Sequence, residues 1–425
     1  MASAGLAVAD WQPATTAAPA DVRSVAALAA PARHFLFLQG MPGPFFRRLA
    51  RRLRENGART SRVNFNGGDV LDWLGGEARA YRGRPEDWSA WLADHLDRTD
   101  VTDIVVFGDC RDAHRAARLV ADRRGLRFHV FEEGYLRPDH VTLERGGVNG
   151  HSSFPRSLRA IDLLATRLGA PDPGMPVPSY FRHRALQAAC YYGAAWLGAA
   201  LFPHYRTHRQ WPPMREARGW IRRFLRRRVE RTESLRSLTS LAGRPFFLLP
   251  LQLEGDSQLS FCSPFASMRE ALELIIASFA SAPPEAMLLV KMHPLDPGIV
   301  PWRRVVAEIA AEAGIAGRVV FIERHDLAPL LGAAQGVITV NSTVGPLALA
   351  EGKPVMALGD AIYRVPGVTA DCPLDAFWQS PPPLDSANVA LLRQALLAKC
   401  LVNGGFHSEE GLGRLVERSV DRLLC

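Results

Sequence analysis

Short apolar runs bounded by glycine or proline alternate with helical patterns twice along this chain, and a stretch that fits neither series separates the two. Residues 34–39 are apolar, end in Gly40-Met-Pro-Gly43, and lead into Phe45, Phe46, Leu49 and Leu53 at helical spacing, with Arg47, Arg48, Arg51, Arg52 and Arg54 opposite. The spacing predicts a strand, a glycine turn and an amphipathic helix. Residues 61–65, 103–107 and 128–131 read as further strands, with helices over 88–96 and 114–124. The second series has strands over 245–249, 287–291, 319–322, 337–340 and 354–357, with helices over 267–279, 302–313, 327–333 and 346–350. Alternation of this kind implies parallel, doubly wound sheets.

A chain of 425 residues, 48% hydrophobic and 22% charged, buries more than one core and is neither disordered nor collagenous. The expected fold is α/β: two Rossmann-like doubly wound domains facing across a cleft, with a helical basic insertion between them. That is the architecture of the GT-B glycosyltransferases, so far an analogy of fold alone. The expected boundaries are a flexible leader over 1–30, a first Rossmann-like, acceptor-side domain over 31–155 and a basic helical segment over 156–240. A second, nucleotide-sugar domain covers 241–385, and helices over 386–425 pack back on the first domain.

Net charge is +8, and residues 204–231 hold ten Arg against Glu216 and Glu230, so this segment alone matches the excess. Such a patch calls for an anionic partner. Aromatic-basic interleaving and a recognisable binding module are both missing, so nucleic acid is not expected. Trp220, Ile221, Phe224, Leu225 and Val229 recur at helical spacing, with Arg222, Arg223, Arg226, Arg227 and Arg228 on the remaining surface. Either this helix packs its apolar side on the protein and solvates its arginines, or it meets an anionic membrane surface. The uncharged run over 186–202 falls short of the roughly 20 strongly apolar residues of a spanning helix. The six cysteines are far apart, with no CxxC and no His pair at metal spacing, and a secretory signal is not evident. A reduced cytoplasmic setting without a metal is the expectation.

Residues suited to chemistry gather where strands of the two series end. Gln252, Asp256 and Ser257 follow the opening strand of the second series. Asp256 suits a base, a nucleophile or a ligand anchor, and equally a plain helix cap. Lys291, His293 and Pro294 follow the next strand, where an imidazole and an ammonium suit phosphate. Asn341, Ser342 and Thr343 stand between a strand and a helix, as a phosphate cradle or an ordinary N-cap, and Glu351 downstream suits a ribose or a surface helix end. In the first series, Asp109 and Arg111 follow the third strand, and Glu132, Glu133 and Arg137 the fourth, placing acid and cation at one rim or in ordinary surface turns.

The ordered set Gln39-Gly-Met-Pro-Gly-Pro-Phe-Phe46, Val63-Asn-Phe-Asn-Gly-Gly-Asp69, Phe107-Gly-Asp-Cys-Arg111, Glu132-Glu-Gly-Tyr-Leu-Arg-Pro138, Leu249-Pro-Leu-Gln-Leu-Glu-Gly-Asp-Ser-Gln258, Lys291-Met-His-Pro294 and Asn341-Ser-Thr343 resembles the capsule polysaccharide modification proteins of the KpsS/LipB family. The resemblance implies a cytoplasmic transferase, peripheral on the inner membrane of Gram-negative bacteria. It would move Kdo from CMP-β-Kdo to lysophosphatidylglycerol and so start the linker beneath a capsule, with other capsule synthesis and export proteins as partners. It implies no cofactor beyond the CMP-sugar, retention through an Asp256 nucleophile, and CMP held by His293, Ser342 and Thr343. Glu133, or else Glu132, would activate the acceptor or hold sugar hydroxyls, and Arg137 and Lys291 would meet the Kdo carboxylate or the lipid phosphate. Two other readings stay open: a non-catalytic scaffold of capsule assembly, and a transferase of another CMP-activated 2-keto sugar.

Overall fold

The computed structural model describes residues 33–425 except His208 and Ala242. The expected leader over 1–30 lies outside them. Among the described residues the strands are β1 (His34–Phe37), β2 (Arg59–Asn64), β3 (Ala78–Ala80), β4 (Asp103–Phe107), β5 (Arg127–Glu133), β6 (His140–Arg145), β7 (Phe246–Pro250), β8 (Met287–Lys291), β9 (Val319–Ile322), β10 (Gly336–Thr339), β11 (Val355–Ala357) and β12 (Leu401–Asn403). They form one sheet in the order β12-β6-β5-β4-β1-β2-β3 and another in the order β11-β10-β7-β8-β9.

The second sheet is parallel throughout, as the alternation implies. The first departs from that expectation, because β6 runs antiparallel to β5 and β12 antiparallel to β6. Pairing with β6 carries β5 two residues past its apolar run, with Glu132 opposite Thr142 and Glu133 opposite Val141. The acidic pair therefore ends a strand rather than occupying the loop after it. Gly134 is what permits the return: a Cβ there would lie 1.9 Å from the His140 carbonyl oxygen.

Alternate side chains of β1 enter different cores, as a strand covered on both faces requires. Phe35 and Phe37 join Phe45, Leu49, Leu53 and Leu415 on one face; Leu36 and Leu38 join Trp88, Leu92, Ala117 and Val120 on the other. β12 completes the first sheet, and the helix Glu409–Leu424 packs on the helix Phe45–Glu55. The helix Ser386–Lys399 instead lies on the helix Leu158–Leu168 and shares a core with the second sheet. Tyr135, Phe154 and Ile161 belong to that same core, so the two halves are joined by buried apolar contact as well as by chain.

Two helices of the middle segment are seated unexpectedly. The helix Pro213–Thr239 buries Gly219, Arg223, Glu230 and Ser234 and exposes Ile221, Phe224, Leu225 and Val229, which rules out the reading that packs its apolar side on the protein and leaves the membrane reading open. The reason is local. Gly219 lets the helix approach Pro297, whose carbonyl oxygen a Cβ would meet at 2.4 Å, and Arg223 donates to the Pro294 and Asp296 carbonyls. Ser234 Oγ accepts two backbone N–H groups at the end of β9, and Glu230 pairs with Arg324 at 2.6 Å. Hydrogen bonds and ion pairs of buried polar groups, not an apolar stripe, hold this face down.

The helix Phe181–Leu197 sits on the Asn66-Gly-Gly-Asp69 turn. A Cβ on Gly67 would fall 2.2 Å from the Ala194 carbonyl oxygen, and one on Gly68 2.6 Å from that of Tyr191. The Tyr191 hydroxyl donates to Asp69 and accepts from Gln39 and Asn66, all within 3.0 Å. Among the described residues no helix is long and apolar enough to cross a membrane.

Candidate active site

In the second sheet the strand order reverses between β7 and β10, the place where open α/β sheets leave a crevice for ligands. Both flanking loops carry expected site residues, joined by hydrogen bonds. Gln252, 3% exposed, donates from Nε2 to Asn341 Oδ1 at 2.7 Å and accepts the Asn341 N–H at 2.9 Å. Asn341 Nδ2 in turn donates to the Gln258 and Cys262 carbonyls. Asp256 does the structural task open to it, with Oδ1 accepting the Gln258 N–H at 2.9 Å as N-cap of the helix Ser257–Phe261. Its other oxygen is left for chemistry, with only a long 3.5 Å approach from Gln252 Nε2. Burial raises the Asp256 pKa, and Arg137 from the first half opposes that rise.

β8 delivers Lys291 and His293 beside this network. His293 Nδ1 accepts the Leu295 N–H at 3.0 Å. Burial, then the positive charges of Arg137 and Lys291, lower the imidazole pKa to about 4. The neutral ring therefore carries its proton on Nε2, where it can donate to an anionic oxygen. Lys291 is buried, and burial together with Arg223 lowers its pKa. Ser342 N–H donates to Thr339 Oγ1, its hydroxyl accepts the Val344 N–H, and its carbonyl accepts the Tyr363 hydroxyl at 2.7 Å. Thr343 occupies the N-cap position of the helix Val344–Ala350 without a side-chain capping bond.

The end of β5 supplies the opposing wall, and its two glutamates differ. Glu133 is clamped by Arg137 at 2.8 Å and Arg184 at 2.6 Å. Burial alone would raise its pKa, but these two cations overcome that and keep it low. Glu132 accepts from Asn149 at 2.8 Å and meets Gln258 of the second half at 3.5 Å. Burial first, then the negative charges of Asp109 and Asp256, push its pKa up to about 8. One acid is a fixed anion and the other a proton store.

Not every expected residue joins this group. Glu351 is exposed at the far end of the helix Val344–Ala350, which carries the chain back to the start of β11. A crossover helix returns to the opposite edge of the sheet, so Glu351 lies away from the crevice. Arg111 reaches toward the Gln39 and Gly40 carbonyls. Asp109 is 1% exposed and accepts from Val148, His151 and Cys110, which leaves it no open face for a sugar. Ser257 and Pro294 are exposed beside Asp256 and His293.

Sequence reasoning passed over Arg184, Gln258, Asn149 and Tyr363. Gln258 alone had a signal, standing at the end of the quoted Asp-Ser-Gln run. A separate 490 Å³ surface cavity, lined by Arg84, Glu86, Asp87, His204 and Arg206, shares no residue with the crevice.

The family model described as capsule polysaccharide biosynthesis protein matches residues 102–407. The chain is 34% identical over 385 residues to the capsule polysaccharide export protein KpsS of Escherichia coli, covering 88% of this chain and 97% of that one. It is 32% identical over 387 residues to the capsule polysaccharide modification protein LipB of Neisseria meningitidis, covering 89% and 92%. Among solved structures it is distantly similar to the beta Kdo 2,7 transferase KpsC of Thermosulfurimonas dismutans, with 14% identity, a TM-score of 0.43 and coverage of 92% and 98%. That likeness is too remote to carry an activity. The sequence matches suffice, and the chain belongs to the capsule polysaccharide biosynthesis protein family.

Proposed function

We propose that this chain is a retaining glycosyltransferase that moves Kdo from CMP-β-Kdo to a lysophosphatidylglycerol hydroxyl at a membrane surface, beginning the β-Kdo linker of a capsular polysaccharide. The observation that carries the reading is the switch-point network in which Gln252, Asn341 and the capping bond orient Asp256, with Glu132 opposite and the neutral His293 facing the same two charges, Arg137 and Glu133, as Asp256 does.

The Nε2 proton of His293 donates to the CMP phosphate as the bond to the anomeric carbon breaks, and the hydroxyls of Ser342 and Thr343 add donors. The Asp256 carboxylate takes the anomeric carbon, giving a Kdo-aspartyl ester and free CMP. Esterification removes the negative charge of Asp256, one of the groups holding the Glu132 pKa high. Glu132 then loses its proton to solvent more readily, and the resulting carboxylate is the base that takes the proton of the acceptor hydroxyl. The oxygen attacks, the Asp256 carboxylate departs, and two inversions give net retention. Arg137, held by Glu133, suits the carboxylate of a 2-keto sugar or the lipid phosphate. The exposed Ile221, Phe224 and Leu225 among arginines suit an anionic lipid surface.

The test is incubation of purified protein with CMP-Kdo generated in situ and lysophosphatidylglycerol in vesicles, with CMP-sialic acid and a UDP-sugar as parallel donors. A lipid mass gain of one Kdo, with CMP-Kdo alone, is expected. Gain with CMP-sialic acid instead would transfer the assignment to another 2-keto sugar, and no gain with any donor would favour a scaffold.

A further inference from the structure

Cys110, His151 and Cys262 come from three distant parts of the chain. They follow β4, close the turn Asn149–His151, and end the helix Ser257–Phe261. One ligand atom of each lies within 4.8 Å of the other two. The cysteines are 5% and 4% exposed, whereas the His151 side chain is 36% exposed and gives access from solvent. We propose that these three side chains hold a zinc-like divalent ion that clamps the first half of the molecule to the second behind the crevice.

Four observations support the assignment. Two thiolates and an imidazole form a donor set selective for zinc-like ions over magnesium or calcium. Tetrahedral zinc asks for ligand separations of roughly 3.5–3.8 Å, so ligand atoms within 4.8 Å of one another need to close in by no more than about 1.3 Å. The Asp109 carboxylate, itself fixed by the Val148 N–H at 3.1 Å, lies 3.0 Å from His151 Nδ1. It accepts that proton and leaves Nε2 as the ligating nitrogen, the carboxylate–histidine–metal arrangement that orients an imidazole. Finally, Gly150 is the residue that lets the halves meet here, since a Cβ would lie 2.8 Å from Cys262 Sγ.

The charges balance without redox chemistry. Two thiol protons pass to solvent, and Zn²⁺ with two thiolates and one neutral imidazole makes a neutral unit, with water in the fourth position. The ion also offsets the negative charge that Asp109 brings to both sulfurs. Its structural consequence falls on the crevice. The Cys262 carbonyl accepts from Asn341 and from the Asp360 N–H, and the helix that Cys262 ends is the one Asp256 caps. The role is distinct from catalysis, and failure of the transferase reading would leave it standing.

The full chain, stripped with chelator and dialysed against Zn²⁺ or Co²⁺, is measured by elemental analysis and absorption. One metal per chain is expected, with a thiolate-to-cobalt charge-transfer band and tetrahedral visible bands. Binding should fall at least tenfold in Cys110→Ala, Cys262→Ala and His151→Ala, and about 10- to 100-fold in Asp109→Asn. Should these variants fold poorly, alkylation of the parent protein decides: zinc should protect Cys110 and Cys262 while the exposed Cys190 and Cys425 still react. A parent protein without stoichiometric metal overturns the proposal, as does metal retained when both cysteines are replaced. Mild oxidation that joins Cys110 to Cys262 with loss of two hydrogens in zinc-loaded protein also overturns it.

Discussion

Glu132 and Glu133 are neighbours in sequence and differ in charge because of what each faces. Burial and the nearby Asp109 and Asp256 push the Glu132 pKa from 4.5 up to about 8, while Arg137 and Arg184 keep Glu133 anionic. The sequence favoured Glu133 as the working acid. Its ion pairs with Arg137 and Arg184 suit Glu133 to holding Arg137, and the proposed mechanism therefore gives the proton to Glu132. A consequence for stability follows from linkage. Between pH 4.5 and about 8 the unfolded chain ionises this carboxyl and the folded chain does not, so stability falls as pH rises across that window. Glu132→Gln removes the titration. Its melting temperature should match the parent's near pH 4.5 and exceed it by a few degrees at pH 8, measured by differential scanning calorimetry; equal melting temperatures at pH 8 would refute the buried-acid assignment. Asp256→Asn keeps an oxygen to cap Gln258 and removes only the charge. Transfer should drop by about a thousandfold or more while CMP affinity by calorimetry stays within about twofold.

Glycines in the quoted motifs act through the elements they bring together. The Gly134 Cβ position collides with the His140 carbonyl, so Gly134→Ala should cost about 4 kcal/mol or more and lower soluble yield and melting temperature together. Gly67, Gly68, Gln39 and Asp69 likewise seat a helix and touch no reacting group, so part of the motif set is architecture. The helix Pro213–Thr239 shows where periodicity leaves the inward face undecided. Its apolar spacing is genuine, but a buried Gly219, Arg223 and Ser234 decide which side faces the protein, and the apolar residues face outward. Replacing Ile221, Phe224 and Leu225 together by Ser should weaken binding to anionic vesicles by about a hundredfold, read by flotation, with little change in melting temperature. Replacing Arg226, Arg227 and Arg228 by Gln should remove about 1 kcal/mol each at low salt and less at high salt; flotation unchanged in both variants would rule out docking by this helix.

Across the whole molecule, the two strand-helix series were legible because strands covered on both faces are nearly continuous apolar runs, and the loops at their ends carry distinctive polar sets. β6 and β12 were not, since a half-polar strand and a three-residue strand depend on partners far away in sequence for their existence. The same holds for the site. Asp256, Gln252, His293 and Asn341 announced themselves in local motifs. Arg184 on a middle-segment helix, Asn149 in a turn and the Cys110–His151–Cys262 cluster become visible only once the halves are packed through their shared core. Glu351 misled for the converse reason, since its motif lies on the loop at the wrong edge of the sheet.

Intact-protein mass spectrometry after mixing with CMP-Kdo, in the absence of any acceptor, tests the two-step transfer most directly. A single added Kdo residue is predicted, mapped by peptide analysis to Asp256, absent from Asp256→Asn and discharged on adding lysophosphatidylglycerol. An adduct on any other side chain, or full transfer by Asp256→Asn, would contradict the account.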